Sequence, residues 1–192
     1  MESSSSSSLP SKSTGYLKIV LGPMFAGKSS YLIEEISKYD NANILAVKHS
    51  IDNRYSDDDY IISHDQKRVA CKSVSKLSDL LDADILANKK IIFIDEAQFF
   101  DDIYETIVIL VEEMNKHVYL AGLDGDFRRI PFNNSKLLNL IPLADEVIKL
   151  RGRCGFPECQ NPSIFSHRTT NQEAQVVVGN CYIPMCRKHF LI

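Results

Sequence analysis

The chain has 192 residues, with 22 Lys and Arg against 25 Asp and Glu, a net charge of −3 and a pI near 5.9. That balance argues against a nucleic-acid binder, whose usual footprint is a basic domain or stripe, and no apolar run approaches the roughly 18 residues that span a bilayer. At 44% hydrophobic and 24% charged residues, the composition is that of a globular protein with one sizeable core and room for a small appendage.

Residues 1–15, "MESSSSSSLPSKSTG", lack the apolar core and cationic start of a secretory signal and read as a disordered Ser-rich tail. Ordered structure is expected from Tyr16. Leu17 to Leu21 is an apolar strand, Gly22 to Gly27 a loop, and Lys28 to Tyr39 a helix with Leu32, Ile36 and Tyr39 on one face. Asn43 to Lys48 is a second strand. The polar stretch Arg54 to Gln66 reads as a surface segment.

Val69 to Val74 is expected as a short strand, and Leu77 to Leu86 as a helix capped by Ser75 or Ser78. The most apolar strand, Ile91 to Ile94, ends in Asp95-Glu96. A helix follows over Asp101 to Lys116, capped by Asp101 or Asp102, with Ile103, Ile107, Leu110, Val111 and Met114 as its stripe. His117 to Gly122 and Val147 to Leu150 complete the strands. Such alternation implies an α/β fold with a mainly parallel sheet covered by helices on both faces. After residue 150 cysteines appear and no long amphipathic helix remains, so a boundary is set there.

Gly22 to Ser29, "GPMFAGKS", fits the phosphate-cradling pattern G-x-x-x-x-G-K-[ST] between a strand and a helix. Its glycines let backbone N–H groups turn inward, and the helix start adds its dipole. Lys28 is placed to reach the β- and γ-phosphates, and Ser29 to offer a hydroxyl to Mg²⁺. Asp95, closing "IIFID", is the candidate second magnesium group. Alternation along a strand keeps Asp95 and Glu96 from serving one metal unless the strand has ended, so two acids suggest two tasks. Glu96 is then either the orienter of an attacking water, as in an ATPase, or the acceptor of a substrate hydroxyl proton, as in a kinase.

Cys154-x4-Cys159 and Cys186-x2-His189, with 26 residues between the pairs, suit a closed tetrahedral Zn²⁺ site. With all four positions filled by protein, the metal is structural and supports a lobe with little core of its own. Of the remaining cysteines, Cys71 reads as a buried apolar residue and Cys181 as a loop thiol. An odd number of cysteines in a chain without an export signal favours thiols or metal ligands over disulfides and a cytoplasmic location.

Taken in order, "GPMFAGKS", "DNRYS" with "SHD" after it, "IDEAQFFDD", "AGLDGDFRRIPF", "NLIPLADEVIKL", the cysteine pairs and "YIPMCRKH" resemble the type II (cytosolic and viral) thymidine kinases, over nearly all the chain from Lys18. The resemblance implies a P-loop NTPase-like (RecA-like) domain at 16–150. A zinc-binding β-rich lobe follows at 151–192, with a loop that covers the nucleoside. It implies ATP as phosphate donor, Mg²⁺, structural Zn²⁺, a role in pyrimidine salvage for DNA synthesis, and a homotetramer without membrane or nucleic-acid partners.

Residue by residue, it makes Glu96 the general base on the 5′-hydroxyl of thymidine or deoxyuridine. A carboxylate is a weak base for an alcohol, and it suffices because the phosphoryl-transfer transition state is loose. Lys28 and Arg54 act on the transferring phosphate, and Asp52 near it on magnesium or substrate. Gly22, Pro23, Met24, Phe25, Ala26, Gly27, Lys28, Ser29, Asp95 and Gln98 form the nucleotide site. Met24, Phe99, Leu123 and Phe127 line the base pocket. The lid runs from Ser166 to Tyr182, with Gln175, Val176, Val177, Val178 and Gly179 as backbone readers and Tyr182 closing it. His64 and Asp65 match the family without an assigned role.

Three departures stand out: Ala97 where glycine is frequent, four rather than two residues inside the first cysteine pair, and a stretch before Tyr182 about two residues short. The rival reading is a P-loop ATPase whose zinc lobe binds single-stranded DNA.

Overall fold

The computed structural model describes residues 14–51, 60–63, 66–132, 134, 136–177 and 181–191. The serine run, Asp52, Arg54, His64, Asp65, Val178 and Gly179 lie outside the described residues. In chain order the main elements are β1 (Tyr16–Leu21), α1 (Lys28–Ile36), β2 (Ile44–His49), β3 (Tyr60–Ile62), β4 (Arg68–Ala70), β5 (Lys72–Val74), α2 (Ala83–Leu86), β6 (Ile91–Asp95), α3 (Ile103–Val108), β7 (His117–Gly122) and β8 (Glu146–Lys149). Then come β9 (Gly152–Arg153), β10 (Pro162–Ser163), β11 (Phe165–Arg168), β12 (Tyr182–Met185) and α4 (Arg187–Phe190).

Six strands form one sheet in the order β5-β2-β6-β7-β1-β8, and each neighbouring pair is parallel. The near-continuous apolar runs follow from burial on both faces. Leu17, Ile19, Leu21, Ile92, Ile94, Val118 and Leu120 point to one side, where Ile103, Ile107 and Leu110 pack with Leu77, Leu80 and Leu140. Phe93, Tyr119, Ala46 and Ala121 point to the other, under Leu32, Ile33 and Ile36 of α1. Truncating one such fully buried side chain to alanine costs roughly 2–5 kcal/mol.

Four local expectations change. The strand expected at 69–74 is two strands: β4 pairs antiparallel with β3, and β5 joins the main sheet beside β2. The expected helix at 77–86 is a 3₁₀ turn (Leu77–Leu80) followed by the single turn α2, whose cap is Asp82, accepting from Asp84 N, rather than either serine. The helix expected from Lys28 to Tyr39 ends at Ile36. The long helix after β6 keeps α geometry only through Val108 and continues as a π-helical turn over Ile109–Glu113.

Asp102 stands at the N-cap of α3, where its side chain bonds none of that helix's own N–H groups. Its carboxylate instead accepts from Leu77 N at 3.1 Å and Ser78 N at 2.8 Å, tying the 3₁₀ turn to α3. Pairing on the β8 edge closes with Leu150 N donating to Leu21 O at 2.8 Å. Beyond it the chain forms two short antiparallel ribbons, β9 with β10 and β11 with β12.

Candidate active site

The loop Gly22 to Gly27 leaves the carboxyl end of β1 and enters α1, the place where open parallel sheets bind ligands. Gly22 is required sterically: a Cβ there would stand 2.7 Å from Leu150 O. Phe25 at φ 61° and Gly27 at φ 84° turn through the left-handed region, the backbone geometry that makes an anion-binding concavity. Lys28 is buried and its Nζ donates to Pro23 O at 2.9 Å, folding the side chain back across the loop. Ser29 follows in the first turn of α1.

This loop rests on the C-terminal ribbons. Met24 N donates to Ser166 Oγ at 2.9 Å, and a Cβ on Gly152 would meet Phe25 O at 2.9 Å and Ser163 Oγ at 2.8 Å.

Asp95 ends β6 and Glu96 follows it, with β7 lying between β6 and β1. Two strand spacings, about 10 Å, therefore separate β6 from β1. Glu96 is left-handed, φ 51° and ψ 38°, so the strand alternation stops at Asp95 and the two acids can take different directions. For a non-glycine residue that turn costs on the order of 1–2 kcal/mol. Both side chains are buried, and Glu96 N donates to Asp95 Oδ1 at 3.0 Å. Gln98, 1% exposed, donates from Nε2 to Glu96 Oε2 at 2.6 Å and accepts Leu123 N at 2.9 Å on its Oε1. Its amide thereby fixes the carboxylate relative to the loop after β7.

Phe99 follows immediately, with ring contacts to Phe132 at 5.9 Å and His49 at 6.0 Å. Burial lowers the His49 pKa, while its Nδ1 accepts from Ile51 N at 3.0 Å.

The loop after β7 carries Leu123 and Phe127 and is built around Asp126, which the sequence reading passed over. Asp126 accepts from Arg128 N at 2.8 Å, Ile130 N at 2.9 Å and the Arg128 guanidinium at 3.0 Å. Burial opposes ionisation there, but the bonds from Ile130, Gln175 and Arg128 hold its pKa below the usual value. Gln175, in the segment expected as the lid, donates to Asp126 Oδ2 at 3.1 Å and to Pro131 O at 3.3 Å, tying that segment to this loop.

Ser166, Gln175, Val176, Val177 and Tyr182 are thus all in the segment that leans on the loops after β1 and β7. The reading also missed Arg168, whose guanidinium lies 3.8 Å over the Phe127 ring. Arg168 stands two residues beyond the buried Ser166, on the same face of β11, a placement that only the structure supplies.

Cys154, Cys159, Cys186 and His189 come together with all four ligand atoms within 4.8 Å of one another. His189 Nδ1 is 3.5 Å from both Cys154 Sγ and Cys186 Sγ, and Cys159 Sγ is 4.0 Å from Cys186 Sγ. Tetrahedral zinc with Zn–S near 2.3 Å and Zn–N near 2.0–2.1 Å requires S···N about 3.5 Å and S···S about 3.8 Å. The donor set fits. Phe156 stacks on the His189 ring at 4.0 Å, and Cys186 N donates to Cys154 Sγ at 3.3 Å. The other two cysteines stand apart from this cluster. Cys71 is half-buried and packs against the α1-side core, and Cys181 is half-buried near the end of the Ser166–Tyr182 segment.

The sequence model of the family described as Thymidine kinase matches residues 15–190, from the start of β1 through α4. The chain belongs to the thymidine kinase family. It is therefore a kinase, a phosphotransferase. It is 40% identical over 181 residues to a thymidine kinase of Monkeypox virus, covering 92% of this chain and 97% of that protein. To a thymidine kinase of Vaccinia virus (strain Western Reserve) it is 38% identical with the same coverage. A thymidine kinase of Oryza sativa subsp. japonica is 35% identical over 185 residues, 92% of this chain and 66% of the rice protein. Among the described residues no helix is long and apolar enough to cross a membrane.

Proposed function

We propose that the protein transfers the γ-phosphate of ATP to the 5′-hydroxyl of thymidine, with deoxyuridine as a second acceptor, giving the nucleoside monophosphate and ADP. The observation that carries this reading is the buried Glu96 carboxylate, gripped by Gln98 across β7 from the phosphate loop. Glu96 takes the hydroxyl proton as O5′ bonds the γ-phosphorus and the bond from that phosphorus to the β,γ-bridging oxygen breaks. Lys28, freed from Pro23 O, moves to the transferring phosphate. Ser29 and Asp95 would hold Mg²⁺, which when bound neutralises charge on the β- and γ-oxygens. Met24, Phe99, Leu123 and Phe127 form the walls of the base pocket, and the lid through Tyr182 excludes water. Arg54 and Asp52, outside the described residues, are assigned to the phosphate site by the same family resemblance. Cytoplasmic location and a homotetramer belong to the same reading.

The test is a steady-state assay with Mg²⁺-ATP and a nucleoside panel on wild type and Glu96→Gln. Thymidine monophosphate from wild type, with the variant down roughly 10²–10⁴-fold at retained binding, is the expected result. Phosphate released to water with no nucleoside product, and turnover stimulated by single-stranded DNA, would overturn it in favour of an ATPase.

A further inference from the structure

Arg168 is 6% exposed, at the end of β11 within the Ser166–Tyr182 segment. All four N–H groups of its two terminal nitrogens are used. Nη1 donates to Gln172 O at 2.7 Å and to Ala174 O, and Nη2 to Gln175 O at 3.0 Å and to the Tyr182 hydroxyl. The guanidinium carbon lies 3.8 Å from the centre of the Phe127 ring and 5.0 Å from that of Tyr182. Its Nε is buried without a hydrogen-bond partner, and among the described residues no carboxylate pairs with the charge. A buried cation held only by carbonyls, one hydroxyl and ring faces is an expensive arrangement to keep unless it serves the site.

We infer that Arg168 is the positioning residue of the nucleoside lid: it gathers the carbonyls of residues 172, 174 and 175, the Tyr182 hydroxyl and the Phe127 ring into one arrangement, and so sets how tightly and how selectively the base is held. The inference rests on the reading of thymidine as acceptor and deepens it. Peptide groups are planar and trans, so three carbonyls turned inward leave the N–H groups of Glu173, Gln175 and Val176 facing away from the guanidinium. The same charge that shapes the lid therefore decides where its backbone donors point. A lysine carries three donors on one atom and no planar face, so it can neither reach four acceptors nor stack on Phe127. The contacts of Arg168 gather residues 172–175, Tyr182 and Phe127, so its loss is expected to fall on nucleoside binding more than on transfer.

Arg168→Lys is expected to raise KM for thymidine about tenfold or more and to cut the preference for thymidine over deoxycytidine by a similar factor. KM for ATP should stay within twofold and kcat within about threefold. Hydrogen exchange across residues 172–175 should quicken in the variant and slow in wild type on adding thymidine. An unchanged thymidine KM and preference, or both KM values and kcat shifting together, overturns the assignment. Should Arg168→Lys fail to fold, as judged by zinc content and melting, Tyr182→Phe removes one acceptor of the same guanidinium. Faster exchange at 172–175 in that variant supports the inference, and unchanged exchange overturns it. If wild type phosphorylates no nucleoside, the acceptor assignment fails by itself, and exchange at 172–175 in the two variants still decides the role of Arg168 in the lid.

Discussion

The side-chain amide of Gln98 spans Glu96 and the loop after β7: Nε2 is 2.6 Å from Glu96 Oε2, and Oε1 accepts Leu123 N at 2.9 Å. The amide's two ends are not interchangeable, since only the nitrogen can donate to a carboxylate and only the oxygen can accept from a backbone N–H. A general base works only if held within hydrogen-bond reach of the proton it takes. Gln98→Leu should therefore lower kcat about tenfold or more, with KM for ATP little changed. It also leaves Leu123 N without its acceptor, at a cost of about 1–3 kcal/mol in stability. Steady-state kinetics beside urea unfolding checks both. A variant with normal kcat would show that Glu96 orients itself.

Gly152 carries the phosphate loop on the C-terminal ribbons. A Cβ at this position would stand 2.9 Å from Phe25 O and 2.8 Å from Ser163 Oγ, and a backbone oxygen yields less readily than a side chain. Gly152→Ala should shift Phe25 and with it the N–H groups of the loop. KM for ATP is expected to rise several-fold, measurable by titrating ATP at saturating thymidine. An unaltered ATP KM would mean that the loop keeps its shape without this support.

The Cys154–Cys159–Cys186–His189 cluster predicts one tightly held zinc per chain. Cys159→Ser should reduce zinc content and lower the melting temperature, because the two short ribbons have little core of their own. Metal analysis and thermal unfolding after mild chelation read the effect. The loss should reach the phosphate loop as well, since Met24 N is held by Ser166 Oγ of β11. A chain that keeps its melting temperature without zinc would contradict the structural role.

Asp102 gives the fold a defined acid sensitivity. Partial burial opposes ionisation, yet bonds from Ser78 and Leu77 N–H groups win and lower its pKa in the folded state. A carboxylate depressed on folding contributes its full stability above its unfolded pKa of about 3.9 and loses it as pH falls through the lower, folded value. Asp102→Ala should destabilise by about 1–3 kcal/mol near pH 7, with the gap from wild type closing below about pH 4. Urea unfolding at pH 7 and pH 3 makes the comparison. A gap as large at pH 3 as at pH 7 would place the effect in packing rather than charge.

Much of the site was legible because its signals are local. The phosphate loop sits between a strand and a helix that the apolar spacing locates, and Asp95-Glu96 closes the most apolar strand. Elements governed by competition were harder to read. Asp102 carried the pattern of a helix cap, yet two N–H groups of a neighbouring turn hold its carboxylate. Val69 to Val74 was continuous in β propensity but divides at Cys71 because its two halves join different sheets. The π turn after Val108 has the same apolar stripe as an α-helix, so periodicity could not separate them.

By itself the sequence determined the parallel α/β order, the phosphate loop, the paired acids and the metal-ligand pairs, all of which are written in spacings of a few residues. Tertiary structure alone decided that Gln98 grips Glu96 against Leu123, that Arg168 gathers the lid over Phe127, and that Met24 is held by Ser166, 142 positions along the chain. Such contacts join residues through the sheet order and the docking of the ribbons. A side chain's partner across the fold depends on where the backbone brings the other group, and no local pattern of hydrophobicity or charge records that.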